Sequence, residues 1–143
     1  MTGDAFSMRR EILEEHPGGR VVAIDTIAHL HADDAGQIVV CGSHGGISSG
    51  EYAARVPVAA VFFNDAGGGK DEAGRAALPL LDGLGIAAGT VAHDSAMIGD
   101  ALDTFESGVV SALNERARTA GFSTGAPLQE MVRQVLSERS NAQ

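Results

Sequence analysis

The chain of 143 residues contains one cysteine, one tyrosine, one lysine and no tryptophan. A lone Cys41 cannot close an internal disulfide, so a reducing compartment is expected and the cytoplasm is the expected location. The longest apolar run, residues 56–63, is interrupted by Pro57 and falls far short of the roughly 20 residues a membrane span needs. No secretory pattern opens the chain, because Arg9, Arg10, Glu11, Glu14 and Glu15 break its apolar continuity. Basic residues are scarce: 10 Lys+Arg stand against 19 Asp+Glu, a net charge of -9. Binding to DNA or RNA is excluded on that balance, since neutralising phosphates takes clustered cations. Aromatics make up only 4%, which leaves few anchors for a strong protein–protein hot spot. The phosphate-binding, dinucleotide, zinc-protease and nucleophile-elbow signatures are all missing, so no cofactor or metal is assigned.

What remains is an ordinary folding composition. Hydrophobic content of 44%, charged content of 20% and mean hydropathy of +0.05 support a packed core. The length fits one domain, residues 1–143, with a frayed tail over 137–143.

Along the chain, apolar Met8, Ile12 and Leu13 at helical spacing predict a short N-terminal helix over 6–15, stopped by Pro17-Gly18-Gly19. Residues 20–30 are rich in β-branched side chains and read as a strand. Residues 37–41 read as a second strand. Only about six residues then separate the two, fewer than a parallel crossover requires, so either the strands pair antiparallel, the favoured expectation, or part of residues 27–34 is a helical turn. From residue 37, strand–turn–helix recurs three times, with strands over 37–41, 58–63 and 86–92. Ser48 and Glu51 have the spacing of a capping box for a helix over 49–55. Asp71 is expected to cap a helix running to about Leu81, with Pro79 kinking its late turns. Asp103 and Glu106 open a helix expected to run to Ala120, and Leu128, Met131, Val132, Val135 and Leu136 mark a C-terminal amphipathic helix behind Pro127. The expected fold class is therefore α/β: a single three-layer αβα domain around a mainly parallel sheet of about four to five strands.

In an open parallel sheet, ligands bind beyond the carboxyl ends of the strands. That rule selects three loops, at 42–46, 64–70 and 93–100. His44 and His93 are the candidate proton-transfer groups, and Asp65 and Asp94 the candidate orienting or basic carboxylates. Gly42, Ser43, Gly45, Gly46, Asn64, Gly67, Gly68, Lys70, Ser95 and Asp100 are the candidate ligand-binding residues. Lys70 would place a charge on a phosphate or carboxylate, and the glycine amides would cradle an anion. The competing reading of the glycines is that the turns themselves require them. Asp25, set among apolar residues, is either at an exposed edge or hydrogen-bonded for a purpose. Cys41 reads as a small buried hydrophobe.

The run Ile38-Val39-Val40-Cys41-Gly42-Ser43-His44-Gly45-Gly46, followed by Arg55-Val56-Pro57-Val58, resembles the end of universal stress protein domains. In that family a glycine-rich loop before the last strand binds nucleotide. The resemblance is confined to residues 38–58, and its function is not carried over.

The expected function is an intracellular enzyme acting on a small polar or anionic metabolite, with acid–base chemistry of the hydrolase or lyase type. The alternative is a non-catalytic small-molecule-binding domain or an oligomeric accessory domain. The expected partners are a small-molecule ligand and further copies of the chain in a homo-oligomer, with neither nucleic acid nor membrane.

Overall fold

A computed structural model describes residues 9–141, apart from the side chains of 70–72. Six strands form one sheet in chain order: β1 (Arg10–His16), β2 (Gly19–Ile24), β3 (Ile38–His44), β4 (Ala60–Asn64), β5 (Ala87–Val91) and β6 (Val110–Leu113). Strands β2 to β5 are parallel; β1 and β6 close the two edges antiparallel. Five helices complete the fold: α1 (Ile47–Ala53), α2 (Ala77–Gly83), α3 (Ala101–Ser107), α4 (Glu115–Ala120) and α5 (Leu128–Asn141). The chain is α/β with a mostly parallel sheet, as its alternating pattern predicts.

The central strands are apolar throughout because both of their faces are covered. Val21, Ala23, Ile38, Val40, Ala60 and Phe62 pack with Phe105, Phe122, Leu128, Val132 and Leu136 from the α3–α5 side. Val22, Ile24, Val39, Val61 and Phe63 turn the other way, onto Ala53, Ala77, Leu78 and Leu81 of α1 and α2. Phe62 and Phe122 meet edge to face, with centroids 4.9 Å apart, the geometry that ring quadrupoles favour.

Several local expectations are overturned. Residues 10–16 form a strand, not a helix; residues 6–8 of that expectation lie outside the described residues. Edge strands tolerate charge, and here the charges are used. Arg10 grips Asp34 with both guanidinium nitrogens, at 2.9 and 2.6 Å, and Arg133 of α5 pairs with Glu14.

Strands β2 and β3 are parallel, not antiparallel. The reason is that β2 stops at Ile24, well before Leu30. The Asp25 carboxylate accepts the Arg9 and Ala101 amides, and Thr26 caps a 3-10 turn over Ile27–His29. Residues 25–37 are thereby released, enough for a crossover of a dozen or so. A second 3-10 turn, Ala32–Asp34, completes it.

The helix expected from Asp103 to Ala120 is three elements, α3, β6 and α4, which with β1 brings the strand number to six. Gly108 ends α3, its amide donating to Thr104, and β-branched Val109 and Val110 lead into β6. Asn114 then caps α4, and its Oδ1 also accepts the Ala88 amide. The cap of α3 is Asp100, with Asp103 in the first turn. Helix α1 begins after Gly46 without a side-chain cap, so the Ser48–Glu51 box does not form. Residues 70–75 are a 3-10 turn, and α2 starts only at Ala77. Pro79 thus sits in the first turn of α2, where its missing N–H is harmless.

Candidate functional site

The carboxyl ends of the four parallel strands lie side by side. His44 is in register with Asn64, and Asn64 with Val91. Residues 93–100 then run back across this edge from β5 toward β2. Ser95 anchors the start, donating to the Ala92 carbonyl at 2.7 Å and accepting the Val109 amide at 2.9 Å. Fully buried Asn64 donates to the Ala96 carbonyl at 3.0 Å. The Gly99 amide donates to Gly42 at 2.8 Å, and the Ala101 amide to Asp25 at 2.9 Å. Gly42 is required at this crossing, because a Cβ there would overlap the Gly99–Asp100 peptide.

Between this strap and the ends of β2 and β3 lies a pocket of about 350 Å³. Its walls carry Asp25, Thr26, Gly42, Ser43, His44, Ser49, Ile98 and Gly99. The Ser43 Oγ accepts the Ile27 amide at 3.0 Å and also hydrogen-bonds the Cys41 thiol, which fixes the hydroxyl at the pocket wall. The His44 Nδ1 accepts the Gly46 amide at 3.2 Å. That bond assigns the neutral ring's proton to Nε2, making His44 a donor toward a ligand. Ser49, nearly buried at 6% exposure, adds a hydroxyl from the first turn of α1. The Asp25 carboxylate is the one anionic group of the lining.

Asp65 and His93 form a second centre at the ends of β4 and β5. The Asp65 side chain is 4% exposed, and its Oδ1 accepts the amides of Gly67 (2.8 Å) and His93 (3.0 Å). Its Oδ2 lies 3.3 Å from the Arg75 guanidinium. Burial works to raise this carboxyl, but the hydrogen bonds from Ser111, Gly67 and His93 and the charge of Arg75 outweigh it and hold it below the usual carboxylate range. The His93 Nδ1 stands 3.6 Å from Asp65 with its ring open to solvent.

The glycines of this loop answer a conformational need. Ala66, Gly67, Gly68 and Gly69 all have positive φ, which only glycine adopts freely. The amides of Ala66, Gly67 and Gly68 donate to the Asn64 side chain, the Asp65 side chain and the Asp65 carbonyl. These three amides are satisfied within the loop.

The candidate residues thus fall into groups. Gly42, Ser43 and His44 line the pocket, with Gly45 and Gly46 buried behind them. Asp65 and His93 pair with each other, over Gly67 and Gly68. Asn64, Ser95 and Asp100 hold the loops in place, and Asp94 is exposed. The side chain of Lys70 lies outside the described residues. Among the described residues, no three His, Cys, Asp or Glu side chains come together as metal ligands. Sequence reasoning selected the loop that holds Ile98 and Gly99 without naming either as a candidate, and did not single out Thr26, Ser49, Arg75 or Ser111. Asp25 carried a signal, a carboxylate inside a β-branched run.

No family model, curated protein or solved structure matches this chain. The glycine loop after β3, which carries the resemblance to universal stress proteins, here precedes a central strand rather than the last one.

Proposed function

We propose that the protein binds a small polar metabolite, rich in oxygen acceptors, in the pocket between β2, β3 and the strap over residues 97–100. One observation carries this reading: Ser43, His44 and Ser49 line the same pocket as the Asp25 carboxylate, and the bond from the Gly46 amide to His44 Nδ1 leaves Nε2 as a donor. Donors serve carboxylate, phosphate or carbonyl oxygens, and Asp25 accepts from a hydroxyl. A cytoplasmic location fits, since Cys41 is a free buried thiol. The test is a titration of the isotope-labelled protein with ribose, lactate and inorganic phosphate, followed by amide chemical shifts. At least one probe should move Ser43, His44, Ser49 and Gly99 together, and His44→Ala should weaken its binding about tenfold. If none of the three perturbs these amides, the reading is wrong.

The Asp65–His93 pair favours a second reading, acid–base catalysis of the hydrolase or lyase type. An ionised, nearly buried carboxylate 3.6 Å from an open imidazole is placed to orient the ring for proton transfer. Hydrolysis of p-nitrophenyl acetate that falls at least tenfold in His93→Ala, and is unchanged in His44→Ala, would support it. Equal rates in both variants and the parent would remove it.

A further inference from the structure

At the opposite end of the sheet, where β3 and β4 begin, a second cleft of about 260 Å³ opens between the strands and α5. Its walls are Ile38, Ala59, Ala60, Ala120, Phe122 and Val135, all apolar, with Arg139 as the one charged residue. Three features narrow its occupant. The lining offers hydrocarbon contact and no side-chain acceptor, so a polyol would lose its hydration there without replacement, and a bare phosphate on Arg139 would leave the apolar walls unused. Arg139 is exposed and has no hydrogen bond or ion pair to another described residue, in a chain of net charge -9. Its neighbour Glu138 is engaged elsewhere, accepting from Gln134 at 3.3 Å. A guanidinium fork matches a carboxylate in two parallel hydrogen bonds.

We infer that this cleft is a binding site for a small monocarboxylate with a hydrocarbon body, its chain lying against Ala60 and Phe122 and its carboxylate on Arg139. The site is independent of the pocket around His44, which lies at the other end of the strands.

Hexanoate is the probe, with hexan-1-ol as its uncharged counterpart, each titrated into the full chain and followed by amide and methyl chemical shifts. Hexanoate should move Ile38, Ala60, Phe122 and Val135 in a saturable way and leave Ser43 and His44 unmoved. Arg139→Gln, an exposed substitution that leaves the core intact, should weaken hexanoate about tenfold and leave hexan-1-ol unchanged. Three results would overturn the inference: no saturable shift at these residues, equal hexanoate affinity with and without Arg139, or shifts at the same residues on dilution of the unliganded protein with a light-scattering mass above 14.6 kDa. The last would assign the cleft to a second copy of the chain.

Discussion

Arg10 and Asp34 show how a single residue pair can decide local topology. Asp34 is 1% exposed, accepts both guanidinium nitrogens of Arg10 and also the His31 amide, and so ties the edge strand β1 to the crossover between β2 and β3. Replacing Asp34 with Asn keeps the volume but leaves the Arg10 charge without its counterion. The expected loss is about 2–3 kcal/mol, below the 3–5 of a fully buried pair because water still reaches Arg10. Urea unfolding of the two proteins measures it; a change under about 0.5 kcal/mol, the scale of an ordinary surface substitution, would mean the pair is ornamental. Cys41 makes a second case at this scale. Burial pushes its thiol up to about 12, and the Sγ–H donates to the Phe62 carbonyl at 3.4 Å. The native protein should therefore resist a thiol reagent that labels it at once in urea. A raised folded pKa also means that stability is whole below the unfolded value of roughly 8.5 and is lost as pH rises toward 12. Cys41→Ala should flatten that alkaline decline in melting temperature, and an equally steep decline in the variant would assign it to other groups.

At the scale of elements, hydrophobic pattern made the central strands legible and connectivity made the ends difficult. β3, β4 and β5 are buried on both faces, so their apolar runs have no competing explanation, and α5 carries a stripe at helical spacing. β1 failed because Ile12 and Leu13 suit a helix face as well as an edge strand when charges surround them; Arg10–Asp34 and Glu14–Arg133, which settle the matter, join residues far apart in sequence. At the β2–β3 crossover the favoured antiparallel pair was wrong and the alternative, a helical turn within 27–34, is what forms, because nothing local announces that the Asp25 side chain will take up two distant amides and end the strand. The candidate site was legible as a set of loops at one sheet edge, but its division into a pocket around His44 and a pair at Asp65–His93 depends on the path of residues 93–100. That path rests on close contact, and two glycine substitutions separate contact from propensity. Gly42→Ala should destabilise by about 1–3 kcal/mol, the usual cost of forced overpacking, and should broaden the amide signals of 97–100. Gly83, at the end of α2, has nothing within 4 Å of an added Cβ, and Gly83→Ala should stabilise by about 0.5–1 kcal/mol. If the two substitutions cost the same, the strap does not lie on Gly42 in solution.

The whole molecule carries a charge of -9, and its carboxylates set the response to acid. Protonating exposed carboxylates relieves self-repulsion, which favours the compact state as pH falls. Protonating carboxylates paired in the native state works the other way. Glu14 belongs to the second class: the hydrogen bond from Arg133, helped by His16 and opposed by burial, holds it below its ordinary range. Its side chain is 18% exposed, and it joins β1 to α5, first strand to last helix. Because the folded pKa is the lower one, the contribution of Glu14 is complete above the unfolded value of about 4.3 and disappears as pH falls through the folded value. Glu14→Gln should thus be less stable than the parent at pH 7, and the gap should close below about pH 4 as the parent loses the same interaction. Half of the Arg133 side chain faces water, so 1 M salt should narrow the gap at pH 7 as well, the screening length falling to roughly 3 Å. Urea midpoints for both proteins between pH 3 and 7 decide the point. A gap that stays constant across that range would locate the effect of the substitution in packing and leave the acid sensitivity of the fold to Asp65, whose carboxylate is held ionised in the same direction.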